Sequence, residues 1–406
     1  MSERIEGLRA EISRLLKAGL FTEAVPLLDE IYRATGDLRA LSSLSVAYLR
    51  SDQLEKARDI ALKALELGGE SPTVLDALTE IYGRLRDLET TIRYGKRSLA
   101  HKDKLVCAAY DGPLSAPRPS SHRWKKLISF SLYGAEARYC EGAVLNVEAA
   151  RAIYPGFICR FYIDEQVPDH VRARLQASGA ELVPMGVAGA RATGQDAVEL
   201  PGMMWRFLAL DDPEAEIVLM RDADSLISER ERIFVETWLA SGLDFHVVRD
   251  WYTHSELILA GTFAARAGRL PPIQAEIELF IEKRRRLALE SRWVDQIALR
   301  ERLWPAVRDR TLTHDRYFGF GVNLAPNEAG GAGRAINHVG ANQSVRTVTR
   351  PLADPEAARV AWQLLDGDGR AFCRYESPVT EGQLAVLLPD PLIHRLDAGE
   401  IRLELL

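Results

Sequence analysis

Asp222 and Asp224 are the residues on which the chemistry of this chain turns. They stand one residue apart, directly after the apolar run "EIVLM" and Arg221. Two carboxylates at the end of a buried strand are costly to ionise unless a cation neutralises them. Hard oxygen ligands favour Mg²⁺ or Mn²⁺, which hold substrate phosphates more readily than they fill all-protein cages. The spacing alone says little, because Asp366 and Asp368 share it. That second pair sits in "LLDGDGRAF", where Asp-Gly between apolar alternations reads as a hairpin turn. For the first pair, ion pairs with Arg221 and Arg230, or helix capping by Asp224, are the competing explanation.

The elements that must position Asp222 and Asp224 alternate. The strand "KLISFSLYG" is followed by a turn and by the helix "AVLNVEAARAIYP", which stops at Pro155. The strand "ICRFYID", a helix near Val171–Ser178, the strand "AELVPM" and a helix near Met204–Leu210 lead to "EIVLM". This order predicts a mostly parallel sheet covered by helices. Ligands in such sheets bind beyond the carboxyl ends of the strands, where both Ser131–Gly134 and Asp222–Asp224 fall.

The first hundred residues differ in kind. Leu41, Leu44, Tyr48, Leu54, Ala57, Ala61 and Ala64 recur 34 residues later as Leu75, Leu78, Tyr82, Leu88, Thr91, Gly95 and Ser98. A looser copy, from Leu8 to Ile31, precedes them. Each unit reads as two helices, the second rich in small residues that allow close approach. Residues 5 to about 104 resemble tetratricopeptide repeats, of which three are about the minimum for a stacked core. Such repeats either grip a peptide or protein partner or serve as a helical cap. The expected organisation is repeats over 1–108, a linker over 109–123 containing "DGPLSAPRPSSH", an α/β domain over 124–345 and a β-rich module over 346–406. In that last module "ARVAWQLLDGDGRAFCRYE", "GQLAVLLP" and "EIRLELL" read as antiparallel strands, which either bind carbohydrate or cover the edge of the preceding domain.

Composition narrows the function classes. Of 406 residues, 47% are apolar and 27% charged, which excludes disorder as the main state. With 52 basic against 58 acidic residues the net charge is −6, so no global basic field awaits nucleic acid. No apolar run approaches the roughly 20 residues of a membrane span, and a cytoplasmic location is expected. Cys107, Cys140, Cys159 and Cys373 lie far apart in sequence, so reduced thiols are expected rather than disulfides or a zinc site.

"RDADSLISERE", "WLASGLDFHVVRDWYTH" and "LILAGTFAARAG", in that order, resemble the GT-A glycosyltransferases, specifically a bacterial group that joins this domain to repeats. The resemblance runs from about Lys125 to Gln343. It implies an α/β Rossmann-like mixed sheet and a divalent metal, Mn²⁺ or Mg²⁺, at Asp222 and Asp224, bound to the diphosphate of a nucleotide sugar. A UDP-sugar is the expected donor. In "INHVGANQ", His338 corresponds to the His that completes the metal site in glycogenin-like members, and Gly340 to the glycine after it. This chain has His-x-Gly where those members have His-x-x-Gly. By the same resemblance Asp295 and Gln296 in "RWVDQIALR" face the acceptor and donor sugar. Arg206 meets the donor sugar or phosphate, and Gly261 in Ala260–Thr262 lies as bare backbone under the sugar. Ser131, Tyr133 and Gly134 fall at the donor end of the first strand. Asp250 either recognises a sugar hydroxyl or makes a structural bond.

Read without the resemblance, Asp295 is favourable charge near a helix N-terminus, and Arg206 pairs with Asp211 or Asp212. His314, Asp315, Tyr317, Phe318 and Phe320 either line the acceptor side or pack in the core. Sugar transfer needs a stabilised leaving phosphate and, in an inverting enzyme, a base, for which Asp295 is the candidate. The leading expectation is therefore a metal-dependent transferase with a protein or peptide acceptor presented by the repeats. A binding scaffold with an inactive transferase-like domain is the alternative. A sugar nucleotidyltransferase ranks last, because "SLYGAEARY" holds one Gly where a Gly-rich phosphate loop is needed.

Overall fold

The computed structural model describes residues 2–110, 122–186, 200–285, 294–325 and 338–406. The expected linker therefore lies largely outside the described residues, as do Arg292, Trp293, Ile336 and Asn337. The chain divides into two compact units. The first holds residues 1–110, 249–257 and 315–324, and the second holds the rest.

In the first unit six helices form three antiparallel pairs: α1 (Ser2–Lys17), α2 (Phe21–Thr35), α3 (Leu38–Arg50), α4 (Leu54–Glu66), α5 (Pro72–Arg84) and α6 (Leu88–Ala108). The repeat pattern marks the buried face: Leu41, Leu44, Ala57, Ala61, Ala64, Leu75, Leu78, Thr91 and Ser98 are each at most 1% exposed. Asp37, Ser71 and Asp87 accept backbone N–H groups at the starts of α3, α5 and α6, satisfying donors that a helix end leaves open. The copying reaches the backbone itself. Asp52 and Arg86, one period apart, both take the left-handed conformation, with φ of 61° and 62°.

Segments 249–257 and 315–324 pack on the third repeat. A Cβ on Gly83 would lie 2.3 Å from the Tyr252 ring, and one on Gly95 2.1 Å from the Phe318 ring, so both contacts need glycine. Buried Lys102 donates to Asp76 at 2.8 Å and to the Ser255 carbonyl at 2.6 Å. Ser98 and Ser255 both donate to Asp76. Arg249 pairs with Asp315 at 2.8 Å, and Asp315 also accepts the Tyr317, Phe318 and Phe320 amides. His314 belongs to a different cluster in the second unit, at 2.8 Å from His246.

The second unit is built on a mixed sheet. Its strands are β1 (Lys125–Leu132), β2 (Phe157–Ile163), β3 (Glu181–Pro184), β4 (Ala215–Arg221), β5 (Phe245–Arg249), β6 (Phe263–Arg266) and β7 (Thr311–Asp315), in the order β3-β2-β1-β4-β6-β5-β7, while β8 (Asn323–Leu324) falls in the first unit. Strands β3, β2, β1 and β4 run parallel, and β6 is antiparallel to β4 and β5. Helices α7 (Ala137–Ile153), α8 (Asp169–Ala177), α9 (Glu229–Ser241), α10 (Ile273–Arg285), α11 (Val294–Ala298) and α12 (Trp304–Val307) connect the strands. Successive strands step from β1 out to β3, and the chain then returns to place β4 on the other side of β1. The crevice between the carboxyl ends of β1 and β4 is thus a topological switch point.

The helix expected near Met204–Leu210 is instead a 3-10 helix over Gly202–Asp211. Its tighter winding is held from β1, where Ser129 Oγ donates to the Arg206 carbonyl at 2.7 Å and Ser131 Oγ accepts the Arg206 amide at 3.0 Å.

The C-terminal module is the expected antiparallel sheet: β9 (Arg346–Pro351), β10 (Arg359–Leu365), β11 (Ala371–Thr380), β12 (Gln383–Leu388) and β13 (Arg402–Leu405), in the order β13-β10-β11-β12-β9. Asp366 and Asp368 do form the β10–β11 turn, where Asp366 accepts the Asp368 and Arg370 amides. Strand β9 and helix α13 (Asp390–Asp397) lie outside the three expected strand segments. The sheet covers the α/β domain: Trp362, Leu364 and Tyr375 share one apolar core with Cys140, Val144 and Val171. Tyr375 donates its hydroxyl to buried Glu141 at 2.6 Å, and Arg174 pairs with the same carboxylate at 2.8 Å.

Candidate active site at the switch point

Asp222 follows β4 and opens the turn that carries Asp224. The turn is fixed from α7, where fully buried Asn146 donates its amide to the carbonyls of Gly142 (3.0 Å), Ala223 (3.2 Å) and Ser225 (3.2 Å). Its carbonyl accepts the Ile227 amide at 3.0 Å. Gly142 allows this approach, since a Cβ there would lie 2.3 Å from the Ala223 carbonyl oxygen. From the other side the segment after His338 closes on the turn. The Gln343 amide donates to the Asp224 carbonyl at 2.9 Å, and Ser225 bridges to Asn342. Gly340, at φ 85°, makes the bend that brings this segment in.

The counter-ion of Asp222 is Arg206, which is neither of the two arginines the sequence offered for it. Arg221 is turned the other way, donating to the Gly261 carbonyl at 3.0 Å and to Ser225 at 2.9 Å, and pairing with Glu231 at 3.3 Å. Arg230 lies over the Phe234 ring. Arg206 also pairs with neither Asp211 nor Asp212. Asp211 caps α10 through the Ile273 and Gln274 amides, and Asp212 pairs with Arg160 at 2.7 Å.

Arg206 is 4% exposed and stands between two carboxylates. It makes a short ion pair with Asp222 and donates to Asp295 Oδ2 at 2.8 Å and to the Arg221 carbonyl at 3.2 Å. Its Nε–H is buried without a partner among the described residues. Asp295, near the start of α11, accepts the Gln296 amide on its other oxygen at 2.8 Å. Gly261 lies against Asp222, where a Cβ would stand 1.9 Å from the carboxylate. Glycine at 261 therefore makes room for the Asp222 side chain.

The charges sort the three carboxyls. Burial pushes Asp222 up, but the adjacent Arg206 and then Arg221 override it and hold the carboxyl below its ordinary range. Asp224 forms no ion pair with a described residue, and burial followed by the Asp222 charge pushes it up to about 6. Burial also raises Asp295, with Arg206 acting against that rise. The Tyr133 phenol is raised by burial and feels Arg206, Asp295, Asp222 and Asp224 in turn, so one hydroxyl lies in the field of the whole cluster. The Tyr133 ring covers Gly202 and meets Trp205 edge-on at 5.7 Å.

The structure thus brings together Arg206, Asp222, Asp224, Gly261, Asp295 and Tyr133, with Ser131 and Gln296 bonded to the backbone or side chains of that group. Gly134 is set by Asp164, which accepts its amide at 3.1 Å. Asp250 belongs to the first unit, follows β5 and donates its amide to His254 Nδ1 at 3.1 Å. Asn146, Trp205 and Asp164 are not singled out by the sequence reading. For Asn146 the available signal is an amide amid the small and apolar residues of α7.

Among the described residues, no group of three or more His, Cys, Asp or Glu is arranged to hold a metal ion. Asp222, Asp224 and His338 therefore do not form a closed three-residue cage. Asp222 and Asp224 are the groups that would hold a hard cation: the Asp224 carboxyl is pushed up by burial and then by the Asp222 charge, which a cation between them would offset. Two carboxylates with phosphate and water in the remaining positions is an arrangement Mg²⁺ and Mn²⁺ accept. No helix among the described residues is long and apolar enough to cross a membrane, and none of the four cysteines is in a disulfide.

No protein-family model matches the chain, and no curated protein does. Among solved structures, it is similar to a tetratricopeptide repeat protein from Parabacteroides merdae at 16% identity, over 26% of this chain and 47% of that one, with a TM-score of 0.22. It is similar to a mutant O-GlcNAc transferase of Thermobaculum terrenum at 11% identity, over 77% of this chain and 50% of that one, with a TM-score of 0.29. It is also similar to the apo-form glycosyltransferase GlyE of Streptococcus pneumoniae at 14% identity, over 47% of this chain and 45% of that one, with a TM-score of 0.33. The chain spans about half the length of each of these three.

Proposed function

We propose that the second unit is a metal-dependent glycosyltransferase that moves a sugar from a nucleotide diphosphate donor, a UDP-sugar in the first instance. The acceptor is a protein or peptide presented by the repeats. The observation that carries this reading is the cluster of Asp222, Asp224, Arg206 and Asp295 at the switch point, with the Gly261 backbone against Asp222. Asp222 and Asp224 would hold Mn²⁺ or Mg²⁺, which supplies charge stabilisation to the departing diphosphate. Arg206 adds a positive charge between Asp222 and Asp295, beside the place the departing diphosphate would occupy. Asp295, raised by burial, is the proton acceptor for the incoming nucleophile once its Oδ2 is free of Arg206. His338, proposed as a further ligand, lies on the segment bonded to the Asp224 turn and would have to move to join the two carboxylates at the ion.

A screen of nucleotide sugars with Mn²⁺, read by hydrolysis and thermal shift, tests the proposal. Mass spectrometry of co-expressed proteins for an added hexose tests the acceptor class. The alternative, a repeat scaffold with an inactive domain, is favoured by the Arg206–Asp222 ion pair, which already neutralises one expected ligand. It prevails if no nucleotide sugar is turned over and Asp222→Ala leaves the biological role intact.

A further inference from the structure

The position of Arg206 points to a device for keeping the unloaded site closed. One guanidinium holds both the first carboxylate of the Asp-x-Asp turn and the candidate base, which are 73 residues apart in sequence. Asp222 is pressed from behind by the Gly261 backbone and keeps 44% of its side chain accessible, while Arg206 keeps 5%. The carboxylate is therefore reachable from the crevice, and the arginine is its inner neighbour. We infer that Arg206 is an internal counter-ion that competes for Asp222 with a divalent cation. It must loosen its hold on Asp222 before that carboxylate can ligate. This rests on the proposed metal site and adds to it a resident competitor that the cation must displace at Asp222.

The coupling has a sign that a sugar-contacting arginine alone would not produce. If Arg206 competes for Asp222, removing its charge raises the affinity of the donor-free protein for Mn²⁺. Roughly tenfold is expected for release of one partly exposed ion pair. Titration of Mn²⁺ alone, followed by electron paramagnetic resonance of the free ion, gives the readout without turnover. Arg206→Gln is expected to bind Mn²⁺ more tightly than the unsubstituted chain. Arg206→Lys, whose single-point charge cannot hold both carboxylates at once, is expected to fall between them, and serves if the Gln variant does not fold. Equal or weaker Mn²⁺ binding by both variants, with binding by the unsubstituted chain intact, overturns the counter-ion role alone. No Mn²⁺ binding by the unsubstituted chain, with or without UDP, overturns the metal site and this inference with it.

Discussion

Replacing Asn146 by Leu keeps the approximate volume of the side chain and removes every polar atom from it. Three groups of the Asp-x-Asp turn lose a partner inside the protein: the carbonyls of Ala223 and Ser225, at 3.2 Å each, and the Ile227 amide, at 3.0 Å. A buried group left unsatisfied costs on the order of 1–3 kcal/mol, so about 3 kcal/mol is expected at the low end. The turn can recover part of this only by opening to water, which moves Asp222 and Asp224. The expected result is a fall in melting temperature of roughly 6–12 °C. Amide exchange in a peptide spanning Asp222–Ser228 should accelerate at least a hundredfold, while β1 and β2 keep their protection. A melting temperature within about 2 °C of the parent, with unchanged exchange in that peptide, would show that the turn is held by something other than Asn146.

Further outcomes follow from the same geometry. Asp224 is raised to about 6, so it takes up a proton below that pH, and Mn²⁺ binding read by calorimetry should weaken by about tenfold per pH unit from there downward. Its charge burdens the metal-free fold above pH 6 and ceases to as the pH falls toward the unfolded value near 4. Asp224→Asn should therefore raise the metal-free melting temperature at pH 8, raise it about half as much at pH 5, and have little effect once the pH falls below the unfolded value. Lys102→Met strands Asp76 and the Ser255 carbonyl, and should destabilise the first unit by about 2 kcal/mol in a urea titration; an unchanged midpoint would remove Lys102 from its structural role. Tyr375→Phe leaves Glu141 with Arg174 but without the hydroxyl, and should lower stability by about 1–2 kcal/mol. A loss confined to near zero would mean that the C-terminal sheet is held by its apolar contacts alone.

What was legible in the sequence was what repeats or alternates. The 34-residue period named the buried face of α3 to α6 because each position faces the same neighbour in every copy. Short apolar runs set between helix and turn signals named β1 to β4, and Asp366–Gly369 named its own hairpin. Less legible were contacts made between elements distant in sequence. Arg206 has Asp211 and Asp212 close by in the chain, yet its partners are 16 and 89 residues away, fixed by the strand order rather than by spacing. Ser131 stands at the ligand end of β1, and its bond to the amide of Arg206 is equally invisible in the spacing. The 3-10 winding of Gly202–Asp211 likewise depends on hydroxyls from β1, which local propensity does not contain. Helix α13 is short and follows a proline, so its eight residues carry too little periodicity to separate it from a turn.

The proposed chemistry requires Asp222 and Asp224 to hold a divalent cation jointly at the switch point. Calorimetric titration of a nucleoside diphosphate into the full chain, with and without Mn²⁺, measures it most directly. Binding that requires Mn²⁺ in the parent and is lost in both Asp222→Asn and Asp224→Asn is the predicted result. Binding of equal strength without the metal, or retained in both variants, would contradict it.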